Sequence, residues 1–157
     1  MYEFKASEVF DVAVRIERNG EKLYRHAATL TDDAKMKALF GLLADEEVKH
    51  RKTFEGMQSK EEDYQPPEKY PGEYCSYLRA YADDIVFPSE RMESELKRIT
   101  DVGGAIEFAV QREVESILYY LEARGFVSER QREQVDKIID EERRHYLKLM
   151  DIKKDLG

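Results

Sequence analysis

The chain has 157 residues, with 26 Lys and Arg against 34 Asp and Glu, three His, one Cys and a formal net charge of -8. This length fits one domain, residues 1–157, able to bury a core, and the acidic balance argues against a nucleic-acid partner, which needs basic residues gathered on one face. No apolar run reaches the length of a membrane span and Met1 to Ser7 lacks the pattern of a secretory signal, so a reducing cytoplasm is expected and no membrane partner.

In chain order, four segments carry helical periodicity, and β-branched runs are hard to find, so the expected class is all-α. The first helix is expected over about 7–30, with Ser7 as its N-cap, and the second over about 31–57, opening at Thr31. A crossover, 58–101, follows. It starts polar and Pro-rich (Pro66, Pro67, Pro71) and turns weakly amphipathic over Gly72–Phe87 and Ser89–Ile99, which predicts one or two short helices. The third long helix is expected over about 102–124, ending at Gly125 as a C′ residue. The fourth, about 128–154, opens on Ser128 with Gln131 three residues later, a capping-box spacing. Short links at Leu30-Thr31 and at Gly125-Phe126-Val127 make each flanking pair an antiparallel hairpin. Two hairpins joined by one long connection give a four-helix bundle of the ferritin-like topology.

The stripe that each helix should bury is apolar except at one layer. Helix two places Met36, Phe40, Leu43, Glu47, His50, Phe54 and Met57 on one face, and helix four places Val135, Ile138, Glu142, His145, Leu149 and Ile152. Helix one offers Phe10, Ala13, Glu17, Gly20, Tyr24 and Ala27, and helix three Val102, Ile106, Ala109, Glu113, Ser116, Tyr120 and Ala123. In each Glu-x-x-His pair the two side chains neighbour one another on one face and can converge on one ion. The four glutamates lie at comparable distances from their hairpin turns, so they meet at one level. Ala13-Val14-x-x-Glu17 with Tyr24 repeats as Ala109-Val110-x-x-Glu113 with Tyr120, and Glu47-x-x-His50 repeats as Glu142-x-x-His145. Two copies of one hairpin thus predict a pseudo-twofold site. Buried carboxylates without partners would cost several kcal/mol each, about what two divalent cations would offset. Carboxylates and imidazoles without thiolate suit Fe or Mn, with Zn able to compete.

Those residues, taken together, resemble the rubrerythrin-like di-iron proteins of the ferritin-like superfamily. The resemblance implies two Fe ions held by Glu17, Glu47, His50, Glu113, Glu142 and His145. Glu47 and Glu142 would bridge, Glu17 and Glu113 would be terminal, and each histidine would cap one metal. Tyr24 and Tyr120 would orient carboxylates or serve as plain core aromatics. The implied activity is reduction of hydrogen peroxide or dioxygen, with ferroxidase chemistry and a metal-stabilised interaction module as alternatives. With one Cys the chain holds no rubredoxin-like centre, so an external electron donor, such as a rubredoxin-type protein, is expected. The extra carboxylate that rubrerythrins carry three residues after the third-helix ligand is Ser116 here; its first-helix counterpart is Gly20, and Glu115 is off the seam. A homodimer is expected. Smaller signals read as background: His26 as a surface residue, Glu141-Glu142-Arg143-Arg144 as a solvated face apart from Glu142, and Cys75 with Tyr64, Tyr70, Tyr74, Tyr77 and Tyr81 as crossover packing, a dimer contact or an electron-transfer element.

Overall fold

A computed structural model describes residues 6–58, 72–86 and 88–157. The expectations for Pro66, Pro67, Pro71, Tyr64 and Tyr70, and for the side chains of Tyr74 and Cys75, lie outside the described residues. Among the described residues there is no strand, and six α-helices follow one another: α1 (Ala6–Thr29), α2 (Ala34–Gln58), α3 (Gly72–Ile85), α4 (Ser89–Arg98), α5 (Val102–Ala123) and α6 (Glu129–Asp155).

Capping chemistry sets most of the boundaries. Asp101 starts α5 by accepting from the Gly104 N–H at 2.6 Å, and Ser128 starts α6 by accepting from the Gln131 N–H. Three local expectations are corrected. α2 begins at Ala34 and not at Thr31, because Asp33 Oδ1 takes the N–H groups of Lys35 and Met36 at 2.9 and 3.0 Å. Ser7 lies inside α1, one residue past its start. Gly125 is not a left-handed terminator: it lies in a 3-10 turn, Arg124–Phe126, and among the described residues only Gly157 has positive φ.

α1 with α2 and α5 with α6 form antiparallel hairpins. Glu17 meets Tyr120 while Tyr24 meets Glu113, so α1 and α5 also run in opposite senses. That makes α2 and α5 parallel diagonal partners, and the chain must travel the length of the bundle between them. α3 docks on α5 and α4 on α1 along this return. Two apolar clusters fill the interior. One gathers Phe10, Phe54, Tyr119 and Phe126, the other Leu23, Phe40, Leu43 and Ile106. Each such side chain contributes about 1.5–3 kcal/mol on burial. Along α1 the order is Phe10, Glu17, Leu23: a polar layer separates the two clusters. No described helix is long and apolar enough to cross a membrane.

Candidate metal centre

That layer brings together Glu17, Glu47, His50, Glu113, Glu142 and His145, one Glu each from α1 and α5 and one Glu-x-x-His each from α2 and α6; all six are buried. Their ligand atoms fall into two overlapping groups, Glu17-Glu47-His50-Glu142 and Glu47-Glu113-Glu142-His145, with the atoms of each group within 4.8 Å of one another. Glu47 and Glu142 belong to both, the position of ligands shared between two ions.

Each imidazole turns Nδ1 into the layer. For His50 this nitrogen is 3.1 Å from Glu142 Oε1 and 3.4 Å from Glu17 Oε2. For His145 it is 3.0 Å from Glu142 Oε2 and 3.3 Å from Glu47 Oε1. The rings stack with centroids 5.6 Å apart. Their outer nitrogens are held crosswise: His50 Nε2 donates to Glu141 Oε2 at 2.5 Å, and His145 Nε2 to Glu46 Oε2 at 2.7 Å. Such a hydrogen bond on one ring nitrogen fixes the ring and leaves the other to bind a cation. Glu46 and Glu141 are functional candidates that the sequence reading passed over. The signal was present, since the repeat extends outward as Asp45-Glu46-Glu47 and Asp140-Glu141-Glu142. Glu141 therefore departs from the solvated-face expectation, although its side chain remains 44% exposed.

Tyr24 and Tyr120 are both buried and cross the bundle. The Tyr24 hydroxyl donates to Glu113 and the Tyr120 hydroxyl to Glu17 Oε1 at 2.5 Å, each hairpin's tyrosine meeting the other's carboxylate. His26, expected at the surface, is half-buried, with Nε2 2.9 Å from the Ile99 carbonyl, and ties α1 to the entry of α5.

The electrostatics are those of a cation site filled by protons. Burial opposes charge on His50, but Glu142 and Glu17 outweigh it and hold the imidazole up at about 12; Glu113 and Glu142 likewise hold His145 up at about 11 against burial. Burial and then Glu142 repulsion push Glu113 up to about 8, and burial with repulsion from Glu142 and Glu17 raises Glu47 well above the usual carboxylate range. Glu17 goes the other way: burial would raise it, but hydrogen bonds with Glu47, His50 and Tyr120 prevail. Even so, Glu17 Oε2, Glu113 Oε2, Glu142 Oε2 and His145 Nδ1 complete no hydrogen bond, and the close approaches of Glu17 Oε2 to His50 and of Glu142 Oε2 to His145 are ion-pair contacts alone. Buried polar atoms that converge without completed hydrogen bonds are what a cation would satisfy, so the donor set fits two divalent ions.

A cavity of about 30 Å³ adjoins the layer between α1 and α5, reaching Glu47 and Glu113 and covered by Met92 of α4. Gly20 and Ser116 leave this space open. A Cβ at Gly20 would lie 3.1–3.3 Å from the Glu47 carboxyl end, so glycine permits the close approach. Arg112 and Glu115, paired at 2.8 Å, line its outer part.

Fold and layer together define an all-α bundle with a buried carboxylate-histidine cluster in its core, arranged as two overlapping ligand groups. The Rubrerythrin family profile matches residues 8–153, and the chain belongs to that family. It is also similar to a Thermotoga maritima protein of known crystal structure, provisionally named a ferritin-like diiron-carboxylate protein. The TM-score is 0.74 and the identity 27%, over 100% of this chain and 99% of that one. No curated protein matches the chain.

Proposed function

We propose that the protein is a di-iron oxidoreductase that reduces hydrogen peroxide or dioxygen with electrons from an external donor. The observation that carries this reading is the cavity beside Glu47 and Glu113: its volume of about 30 Å³ exceeds the roughly 10–15 Å³ needed by one water and suits a molecule of two heavy atoms.

In this reading Glu17, Glu47, His50 and Glu142 would hold one iron and Glu47, Glu113, Glu142 and His145 the other, with Glu47 and Glu142 common to both groups. The bound irons supply reversible one-electron redox chemistry next to the cavity. The chain's own residues do the rest. Glu46 and Glu141 hold the imidazoles in the orientation that presents Nδ1. Tyr24 and Tyr120 pin one oxygen of each terminal carboxylate and leave the second, Oε2, for metal. Ile16, Leu23 and Met92 give the cavity an apolar stretch of wall facing its polar lining, which favours a small neutral oxidant.

Metal analysis of protein purified without oxygen tests this, followed by absorption spectra before and after peroxide. About two irons per chain and rapid oxidation of the reduced protein are expected. Substituting Ser116→Leu should fill the cavity and slow that oxidation while leaving the iron content unchanged. Zinc at the site in place of iron, or oxidation unaffected by Ser116→Leu, would sink the reading. Ferric iron accumulating beyond the ligand capacity would instead favour ferroxidase chemistry.

A further inference from the structure

The oxidant cavity lies on the α4 side of the layer. On the α3 side four tyrosines follow one another from solvent to the cluster. Tyr77 of α3 is 52% exposed, and its ring stacks on Tyr81 with centroids 6.1 Å apart. Tyr81 lies parallel to Tyr119 at 6.5 Å and 4°, and Tyr119 meets Tyr120 edge-on at 6.1 Å. Tyr120 ends the series by donating its hydroxyl to Glu17.

We propose that Tyr77, Tyr81, Tyr119 and Tyr120 form an electron relay into the metal centre, with Tyr77 as the surface point at which a one-electron carrier delivers its electrons. The relay rests on the redox reading above for the source of oxidising power. Packing alone does not call for this series. Under the hairpin repeat the counterpart of Tyr119 is Leu23, equally buried beside Tyr24, so an aliphatic side chain fills that position in the other half. The Tyr119 hydroxyl gains only a 3.4 Å contact to the Val9 carbonyl. What tyrosine adds at 119 over leucine is an oxidisable ring between two others.

The proton positions divide the four into stations and bridge. When the peroxide-oxidised centre takes an electron from Tyr120, the phenol proton shifts along the existing hydrogen bond toward Glu17 Oε1, and it returns when an electron arrives from the outside carrier by way of Tyr77. Tyr77, 52% exposed, lies where a proton can pass to solvent. Tyr81 and Tyr119 donate to backbone carbonyls, Glu115 O at 3.0 Å and Val9 O at 3.4 Å, which accept hydrogen bonds but do not take protons. These two rings therefore carry the electron between the stations without holding a radical. Overall, one peroxide takes two electrons and two protons to become two waters. The electrons come singly from a carrier that is oxidised by one electron each time, and the protons come from solvent.

The test uses iron-loaded, reduced full-length protein, treated with more than one equivalent of peroxide in the absence of any donor. The first equivalent takes its two electrons from the irons, and the next must take them from the tyrosines. Freeze-quenched electron paramagnetic resonance should show a tyrosyl radical, and mass spectrometry should find intermolecular dityrosine at Tyr77. Tyr77→Phe should lose the cross-link but keep the radical on Tyr120 and the iron content. Tyr119→Leu, which copies Leu23, should also lose the cross-link and slow re-reduction by an external donor. Tyr77→Phe, at an exposed position, stands as the test if Tyr119→Leu misfolds. Cross-linking and re-reduction unchanged in the variants, or no radical in a protein that peroxide does oxidise, overturns the relay alone. Iron that peroxide leaves untouched overturns the functional reading and the relay with it.

Discussion

Across the bundle's approximate twofold, the two hairpins supply matching groups to the polar layer: Glu17, Tyr24, Glu46, Glu47 and His50 from one, Glu113, Tyr120, Glu141, Glu142 and His145 from the other. Their surroundings do not match. Beside Tyr24 the wall is Leu23, Phe40 and Met92, with the cavity opening between Gly20 and Ser116. Beside Tyr120 it is Phe54 and Tyr119, backed by Tyr81. On the proposed reading the layer has two like charges to neutralise at one level, which a symmetric ligand set does, while oxidant and electrons take separate routes past the two crossover helices. Symmetry holds in the ligand layer and stops one residue away.

The largest expected effect separates the shared ligands from the unshared ones. Glu142→Ala removes a ligand from both groups and should leave well under one ion per chain, whereas Glu17→Ala or Glu113→Ala should leave about one, held by the opposite group. Loss of one tightly held ion at a free concentration a thousandfold above its Kd removes about 4 kcal/mol of stabilisation. Calorimetry with metal analysis on the three variants decides it. Equal losses from Glu142→Ala and Glu17→Ala would mean that the layer binds as one unit and the twofold division is wrong.

A somewhat smaller effect separates the metal-free from the loaded protein as pH changes. In the metal-free state His50 and His145 are raised to about 12 and 11, and Glu113 to about 8. A group raised on folding stabilises below its unfolded pKa, and that stabilisation fades as pH climbs toward the folded value. The windows run from about 6.5 upward for the imidazoles and from about 4.5 to 8 for Glu113. Glu17, shifted down, acts only below its ordinary range and does not offset them. Between pH 6.5 and 8 the native state therefore binds more protons than the unfolded chain, and the metal-free protein should lose up to about 1.4 kcal/mol per pH unit for each group. Metal replaces those protons, so its affinity rises with pH and the gap between the two melting temperatures widens. A metal-free melting temperature that rises from pH 6.5 to 8 would contradict the proton-filled description of the layer.

Much of this was legible in the sequence because helical periodicity carries a face through many turns. Glu47, His50, Glu142 and His145 interrupt apolar stripes in the same order, and such an interruption shows without any tertiary information. Residues one step off the stripe were not legible. Glu141 read as a solvated face and Glu46 drew no reading, because their register points out of the core, yet an imidazole reaches far enough to carry a hydrogen bond from the layer to the α2–α6 edge. The tyrosine series was less legible still, since Tyr81 and Tyr119 stack only because α3 docks on α5. The α2 start slipped for a local reason: Asp33 caps better than Thr31, and the preference is decided by which side chain reaches two free N–H groups.

The smallest effect probes how far the twofold extends outward. Glu46→Gln and Glu141→Gln each keep size but weaken the charge-assisted bond on an imidazole Nε2, and loss of such a partner costs about 10–100-fold in metal affinity. Perfect twofold symmetry makes the two losses equal. The surroundings argue otherwise: the Glu46 side chain is 27% exposed and that of Glu141 44%, so water screens the second pair more and can replace its hydrogen bond more readily. Glu46→Gln should therefore fall toward the upper end of that range and Glu141→Gln toward the lower, with the weakened ion the one bound by His145 in the first case and by His50 in the second. Competitive metal titration gives the affinities, and the histidine resonances of a zinc-loaded sample show which ring has loosened. Equal losses would extend the symmetry through both histidine partners; a larger loss from Glu141→Gln would show that the 2.5 Å contact to His50 outweighs its exposure.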